Sequence, residues 1–287
     1  VVMNTTDPKE LFSWMVKDMN VLLCSSKFVN GDILHNANKM IDLLKKKNID
    51  TEGLQIIEEG KTFFWKGKYH TDMNSRDTLD TQLNVLESFD PIIPDNYKDC
   101  KYLMLGNLVP AIQLRVLEQL ENRPKLIVMD TMNLWMDATM DDLKKMIKLV
   151  DVLTINDEEA RQLAEENNLV KAAEKIQRMG PSILIIKKGE HGALLFGKEG
   201  EIFFAPALPL KNVIDPTGAG DTFAGGFMGY LSRTDDISFD NMKKGLIYAS
   251  TMASFCVETF GPEGLENLEN KDIELRRKEL TKLIDFN

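Results

Sequence analysis

The sequence predicts an α/β protein on a mainly parallel sheet, and three observations predict it. Beyond Tyr97, apolar runs of four residues alternate with segments of helical periodicity. Those runs, such as Leu126-Ile127-Val128-Met129 and Ile183-Leu184-Ile185-Ile186, are continuous rather than alternating, which is the pattern of strands covered on both faces. Each is followed by a polar cluster, at the carboxyl end where open α/β sheets place their ligands.

Composition narrows the function classes. The chain has 287 residues with 43% hydrophobic and 28% charged, an ordinary globular balance with room for one large α/β domain or two modest ones. A formal net charge of −10 argues against a nucleic-acid partner or an anionic membrane surface. No apolar run approaches the ~20 residues of a membrane span. The first residues, Val1-Val2-Met3-Asn4, have neither a basic start nor an apolar core, so no signal peptide is expected. Cys24, Cys100 and Cys256 are odd in number and far apart, which fits buried thiols in a reducing cytoplasm without a zinc or disulfide framework.

The elements follow in order. Asp7-Pro8-Lys9-Glu10 reads as N-cap, N1 proline and acidic first turn of a helix carrying Leu11, Phe12, Met15 and Val16. Val21-Leu22-Leu23-Cys24 reads as a short strand. Residues 34–47 read as a helix with Ala37, Met40, Ile41 and Leu44 on one face and a lysine-rich end. From residue 51 the texture turns to β: strands are expected at 54–57, 62–65 and 82–86, with turns at Gly60 and Gly67 and a polar stretch over 70–77. Strands are then expected at 102–105, 126–129, 152–155 and 183–186. Helices fall near 110–121, 140–149, after Asn156, and near 170–179. The division expected is residues 1–50 as the leading part of the core, 51–92 as a small β-unit, and 93–287 as the α/β core.

The chemistry concentrates in Val213-Ile214-Asp215-Pro216-Thr217-Gly218-Ala219-Gly220-Asp221-Thr222-Phe223-Ala224-Gly225-Gly226-Phe227. A proline and glycines make a tight bend and an apolar helix begins. Gly218, Ala219 and Gly220 leave the backbone bare there, and N–H groups at a helix start lack partners, so the bend can hold an anion. Asp221 falls in the first turn, where a carboxylate beside a bound phosphoryl group suits proton abstraction from an attacking hydroxyl. Taken singly, Asp in a first turn and a Gly-rich bend are also ordinary helix-start chemistry.

The whole string resembles the C-terminal signature D-T-x-G-A-G-D of the PfkB (ribokinase-like) family of small-molecule kinases. The resemblance implies a three-layer α/β/α core with a β-lid formed by the 51–92 unit, which on composition alone reads as a surface β-meander. It also implies ATP-dependent phosphorylation of a hydroxyl on a small sugar or nucleoside, and a homodimer through the lid. Asn156 and Glu159 match the family's N-x-x-E pattern, which implies that they hold Mg²⁺ and its waters near the nucleotide phosphates; the same pair reads equally as a capping box. Lys187-Lys188-Gly189-Glu190-His191-Gly192 resembles a nucleotide-bordering segment, which implies Lys187 near the phosphates with Gly189 and Gly192 shaping the turn. Two solvated lysines are the alternative, and nothing marks His191 as a metal ligand. The small-residue stretch around Ser250, with the segment at Gly261, is where the resemblance implies an adenine pocket; close helix packing is the other reading. Asp215 and Thr217 match positions that hold K⁺ in potassium-dependent relatives.

The family's N-terminal strand with its Asp, and the Gly-Gly segment that contacts the acceptor, are absent here. The first 35 residues therefore read as truncated or remodelled, with Asn107, Asn133, Asn74 and Arg76 left to touch an acceptor; each reads equally as an ordinary loop-surface residue. The rival expectation is a nucleotide- or sugar-binding protein that keeps the fold without transfer. No G-x-x-x-x-G-K-[ST] loop and no H-R-D or D-F-G set occurs, which disfavours P-loop NTPases and protein kinases.

Overall fold

The computed structural model describes residues 2–3, 19–20, 41–57, 61, 63–74, 76–261 and 263–285. The helix expected from Pro8 and the strand expected at 21–24 lie outside the described residues. So does the first half of the 34–47 helix, whose end is helical over residues 41–46.

The strands are β1 (Val2–Met3), β2 (Met19–Asn20), β3 (Phe64–Tyr69), β4 (Arg76–Gln82), β5 (Tyr102–Leu105), β6 (Leu126–Asp130), β7 (Val152–Asn156), β8 (Ile183–Lys187), β9 (Ala193–Phe196) and β10 (Ile202–Ala205). The helices are α1 (Pro110–Glu118), α2 (Asn133–Ala138), α3 (Met140–Ile147), α4 (Asp157–Ala164), α5 (Leu169–Gln177), α6 (Ala219–Thr234), α7 (Phe239–Cys256), α8 (Glu263–Glu266) and α9 (Asn270–Lys282).

Among the described residues one sheet runs β10-β9-β8-β7-β6-β5-β1-β2. Its centre, β5 through β8, is parallel, and both flanks are antiparallel. Every residue of β5 and β6 is buried, as continuous apolar strands require. Strand alternation then builds two cores. Leu103, Ile127, Met129, Leu153, Ile155, Leu184 and Ile186 face α1 to α5. Tyr102, Met104, Val128, Val152, Ile183 and Ile185 face Phe223, Phe227 and Leu231 of α6 and Leu246 of α7. This is the three-layer α/β/α arrangement. The same alternation puts Asp130 and Lys187, at the ends of β6 and β8, on the α6 side.

The β-unit departs from its expected outline. β3 and β4 pair as a separate antiparallel hairpin. Residues 54–57 form no strand; Ile56 and Ile57 are exposed, and the Gln55 side chain instead ties to the Asp90 carbonyl and the Ile92 N–H. β-Propensity without a partner strand does not suffice. The expected 82–86 strand is β4 ending at Gln82, then a 3₁₀ turn over Asn84–Ser88, because Asn84 takes φ 50° and Leu86 turns in against Phe89 and Ile112. Gly67 is no turn. It sits at an irregularity inside β3, and a Cβ there would lie 2.1 Å from the Trp65 ring. Cys100 and Cys256 are both buried, and no helix among the described residues is long and apolar enough to cross a membrane.

Candidate active site

The bend ahead of α6 is shaped by its backbone. Gly218 holds φ 83°, a left-handed conformation that suits glycine. The Thr217 N–H donates to Asp215 Oδ1 at 3.0 Å, and Asp215 is buried beneath the turn. The end of α7 braces it from behind, since the Val257 carbonyl accepts from the N–H groups of Ile214 (2.8 Å) and Asp215 (3.3 Å). One expected anion donor is committed elsewhere: the Ala219 N–H donates to the Pro216 carbonyl at 3.1 Å, closing the turn. The donors left for an anion come from the rest of the first turn of α6, whose geometry supplies unpaired N–H groups.

Across from this turn stands Lys187. Its Nζ lies 3.4 Å from where a Cβ on Gly220 would be, so the ammonium rests against the bend. Asp130 Oδ1 and Oδ2 accept from it at 3.1 and 3.2 Å. Burial alone would lower the Lys187 pKa, but the charges of Asp130 and Glu159 overcome it and hold the ammonium charged. Asp221, in the first turn of α6, is pushed up to about 6. Crowding by the protein is the main cause, Asp130 adds to it, and Lys187 opposes it. The residue is open to solvent on one side, which weakens that desolvation, so the upward direction is what its chemistry uses. A carboxylate raised toward neutrality is a better proton acceptor than an ordinary Asp.

Asn156 and Glu159 form a complete capping box: the Asn156 N–H donates to Glu159 Oε2 at 2.7 Å, and the Glu159 N–H to Asn156 Oδ1 at 2.8 Å. The cap uses one carboxyl oxygen and leaves the other. Glu159 is buried, which pushes its carboxyl up to about 7; Lys187 pulls it back and Asp130 pushes it further. Among the described residues no three Asp, Glu, His or Cys side chains converge as a metal site. That donor set fits a Mg²⁺ held largely by its own waters and by phosphate oxygens, the habit of this ion.

The hairpin reaches this cleft. Thr217 Oγ1 donates to Tyr69 Oη at 3.0 Å, and Asn74 Oδ1 packs against Gly189, 2.2 Å from where its Cβ would be. Gly189 (φ 54°) and Gly192 (φ 83°) shape the turn after β8, and Gly192 lies against Ala205. Arg76, the cross-strand partner of Tyr69, lies 6.0 Å above the Trp65 ring. Asn107 and Asn133 are engaged within the protein: Trp135 Nε1 donates to Asn107 Oδ1 at 2.8 Å, and Asn133 Nδ2 to Gln162 Oε1 at 2.6 Å. Ser250 is buried inside α7, where α6 packs closely enough that a Cβ on Gly226 would lie 3.0 Å from Ala249 Cα. Gly261, at φ 63°, has open space around it.

The sequence family model for pfkB family carbohydrate kinases matches residues 35–267. The chain belongs to this family. The chain is 31% identical over 191 residues to a cytidine kinase of Thermococcus kodakarensis, covering 64% of the chain and 66% of that protein. It is 26% identical over 170 residues to a nucleoside kinase of Methanothermobacter thermautotrophicus, covering 59% and 52%. The chain thus spans about two thirds or less of the length of these relatives. Among solved structures, a putative ribokinase II from E. coli superposes with TM-score 0.70 at 21% identity, covering 87% of this chain and 81% of that one. The Burkholderia thailandensis nucleoside kinase in complex with inosine superposes with TM-score 0.67 at 20% identity, covering 86% and 78%. These likenesses establish the ribokinase-like fold.

Two residues of the pfkB-type cleft escaped the sequence reading. Asp130 belongs to the polar cluster expected after the 126–129 run, and an acid closing a wholly apolar run is itself a signal. Tyr69 gave none, because its place depends on how β3 and β4 pair.

Proposed function

We propose that this chain transfers the γ-phosphate of ATP to a hydroxyl of a nucleoside or small sugar. The observation that carries the reading is the placement of Lys187 against the Gly218–Gly220 bend, with Asp221 one residue further into the helix. A cation, helix N–H groups and a raised carboxylate then share one cleft, as phosphoryl transfer to an alcohol requires. In this reading the helix start and Lys187 bind and orient the terminal phosphate, and Asp221 takes the proton of the attacking hydroxyl. Asn156 and Glu159 would hold Mg²⁺ through water. Bound Mg²⁺ supplies charge neutralisation on the phosphate oxygens. The hairpin carrying Tyr69, Asn74 and Arg76 shields the cleft from water.

A nucleoside acceptor is favoured by the named activities of the relatives, which include cytidine and nucleoside kinases. The E. coli structure in complex with ATP and Mg²⁺ supports the donor assignment for this fold. The K⁺ site at Asp215 and Thr217, the adenine pocket at Ser250 and Gly261, and a cytoplasmic setting belong to the same proposal. The experiment is a coupled ADP-release assay with ATP and Mg²⁺ over cytidine, other nucleosides and ribose. Acceptor-dependent ADP release, with phosphorylated product seen by mass spectrometry, is expected. ATP-induced thermal stabilisation without product on any acceptor would overturn the transfer assignment.

A further inference from the structure

Asp130 has no task in the reading above, yet it is among the most constrained groups of the cleft. It is 4% exposed at the end of β6. Its carbonyl accepts from Gln113 Nε2 at 3.2 Å, and its Oδ1 accepts from the Thr131 N–H at 3.0 Å. Gln113 is itself buried and also donates to the Gly106 carbonyl at 2.7 Å, which ties the ends of β5 and β6 together. The carboxylate is thus held by the Thr131 N–H, and the main chain that carries it by Gln113. Its two oxygens grip Lys187 Nζ, which in turn lies against Gly220. A lysine has a flexible four-carbon stem and would otherwise distribute its ammonium over many positions.

We propose that Asp130 is a positioning residue that fixes the Lys187 ammonium against the Gly218–Gly220 bend, so that it meets the transferring phosphoryl group without reorganisation. This rests on the proposed phosphate role of Lys187. Preorganisation of that kind acts on the transition state more than on ground-state binding. Asp130 is also an anion beside an anion site, so its charge opposes nucleotide binding. The two effects pull turnover and ATP affinity in different directions, a signature that mere structural support does not give.

Asp130→Asn keeps the shape and an acceptor for the Thr131 N–H and removes the charge. The expected result is a ten- to hundredfold fall in kcat, a KM for ATP equal to or below that of the wild type, and an unchanged half-saturating Mg²⁺ concentration. Calorimetric affinity for ATP should not weaken. Lys187→Met should lower both ATP affinity and kcat. The double variant removes both members of the buried pair and leaves no lone charge. Its kcat, read at pH 8 where Asp221 is deprotonated with or without Asp130, should match that of Lys187→Met, because the effect of Asp130 on transfer runs through the lysine. Undiminished kcat in Asp130→Asn would overturn the proposal. So would a severalfold higher Mg²⁺ requirement, which would make Asp130 a metal ligand, or additive losses in the double variant. Wild-type protein that binds no ATP would overturn this proposal together with the proposed activity. Wild-type turnover alongside a normal Asp130→Asn variant would overturn this one alone.

Discussion

Replacing Glu159 by Gln should stabilise the nucleotide-free protein at pH 8 and leave it nearly unchanged at pH 5. Glu159 is 4% exposed, and burial pushes its carboxyl from 4.5 to about 7, against the pull of Lys187 and with help from Asp130. The folded state therefore holds this proton more tightly than the unfolded state does. The stability that follows is complete below about pH 4.5 and is lost as pH rises through about 7. At about 1.4 kcal/mol per pH unit, the rise amounts to roughly 3 kcal/mol at most. Gln stays neutral throughout, and its amide oxygen can still accept from the Asn156 N–H that Glu159 Oε2 now receives. The variant's advantage over wild type should thus grow by about 1–3 kcal/mol between pH 5 and pH 8, or roughly 2–4 °C in Tm per kcal/mol for a chain near this size. Urea unfolding at the two pH values, without Mg²⁺ or nucleotide, measures the difference directly. A variant equally destabilised at both pH values would refute the argument, since it would mean that the cap and not the buried charge governs this site.

Further predictions concern turnover and the turn after β8. With Asp221 raised above the ordinary Asp range and required in its deprotonated form, kcat/KM should fall with unit slope as pH drops below that raised pKa and level off above it; a profile without a break between pH 4 and pH 7 would remove Asp221 from the proton transfer. Gly192→Ala places a Cβ 2.1 Å from the Ala205 carbonyl oxygen, at a φ of 83° that L side chains rarely adopt. It should cost about 2–4 kcal/mol of stability. A urea midpoint equal to that of the wild type would show that β8–β10 can shift apart freely.

What could be read from the sequence was whatever local chemistry determines. Buried parallel strands announce themselves as continuous apolar runs, so 102–105, 126–129, 152–155 and 183–186 were legible to within a residue. The bend at Gly218 was legible because its conformation demands that residue type. The β-unit was not, because β-propensity cannot say which segment finds a partner. Ile56 and Ile57 find none and stay exposed, while polar 76–82 pairs with β3. Long-range geometry was equally hidden. Nothing in the string 126–130 says that Asp130 meets a lysine 57 positions later, nor that Tyr69 reaches Thr217. Asn156 and Glu159 could be read as a cap or as metal holders. The cap is present, and its unused carboxyl oxygen leaves the second task compatible with it.

The central claim is that a carboxylate in the first turn of α6 accepts the acceptor's proton beside a phosphate held at the bend, and Asp221→Asn tests it most directly. Single-turnover transfer with saturating ATP, Mg²⁺ and the best acceptor should fall by about 10²–10⁴-fold, while ATP affinity by calorimetry stays within about threefold. Transfer at the wild-type rate in that variant would contradict the account.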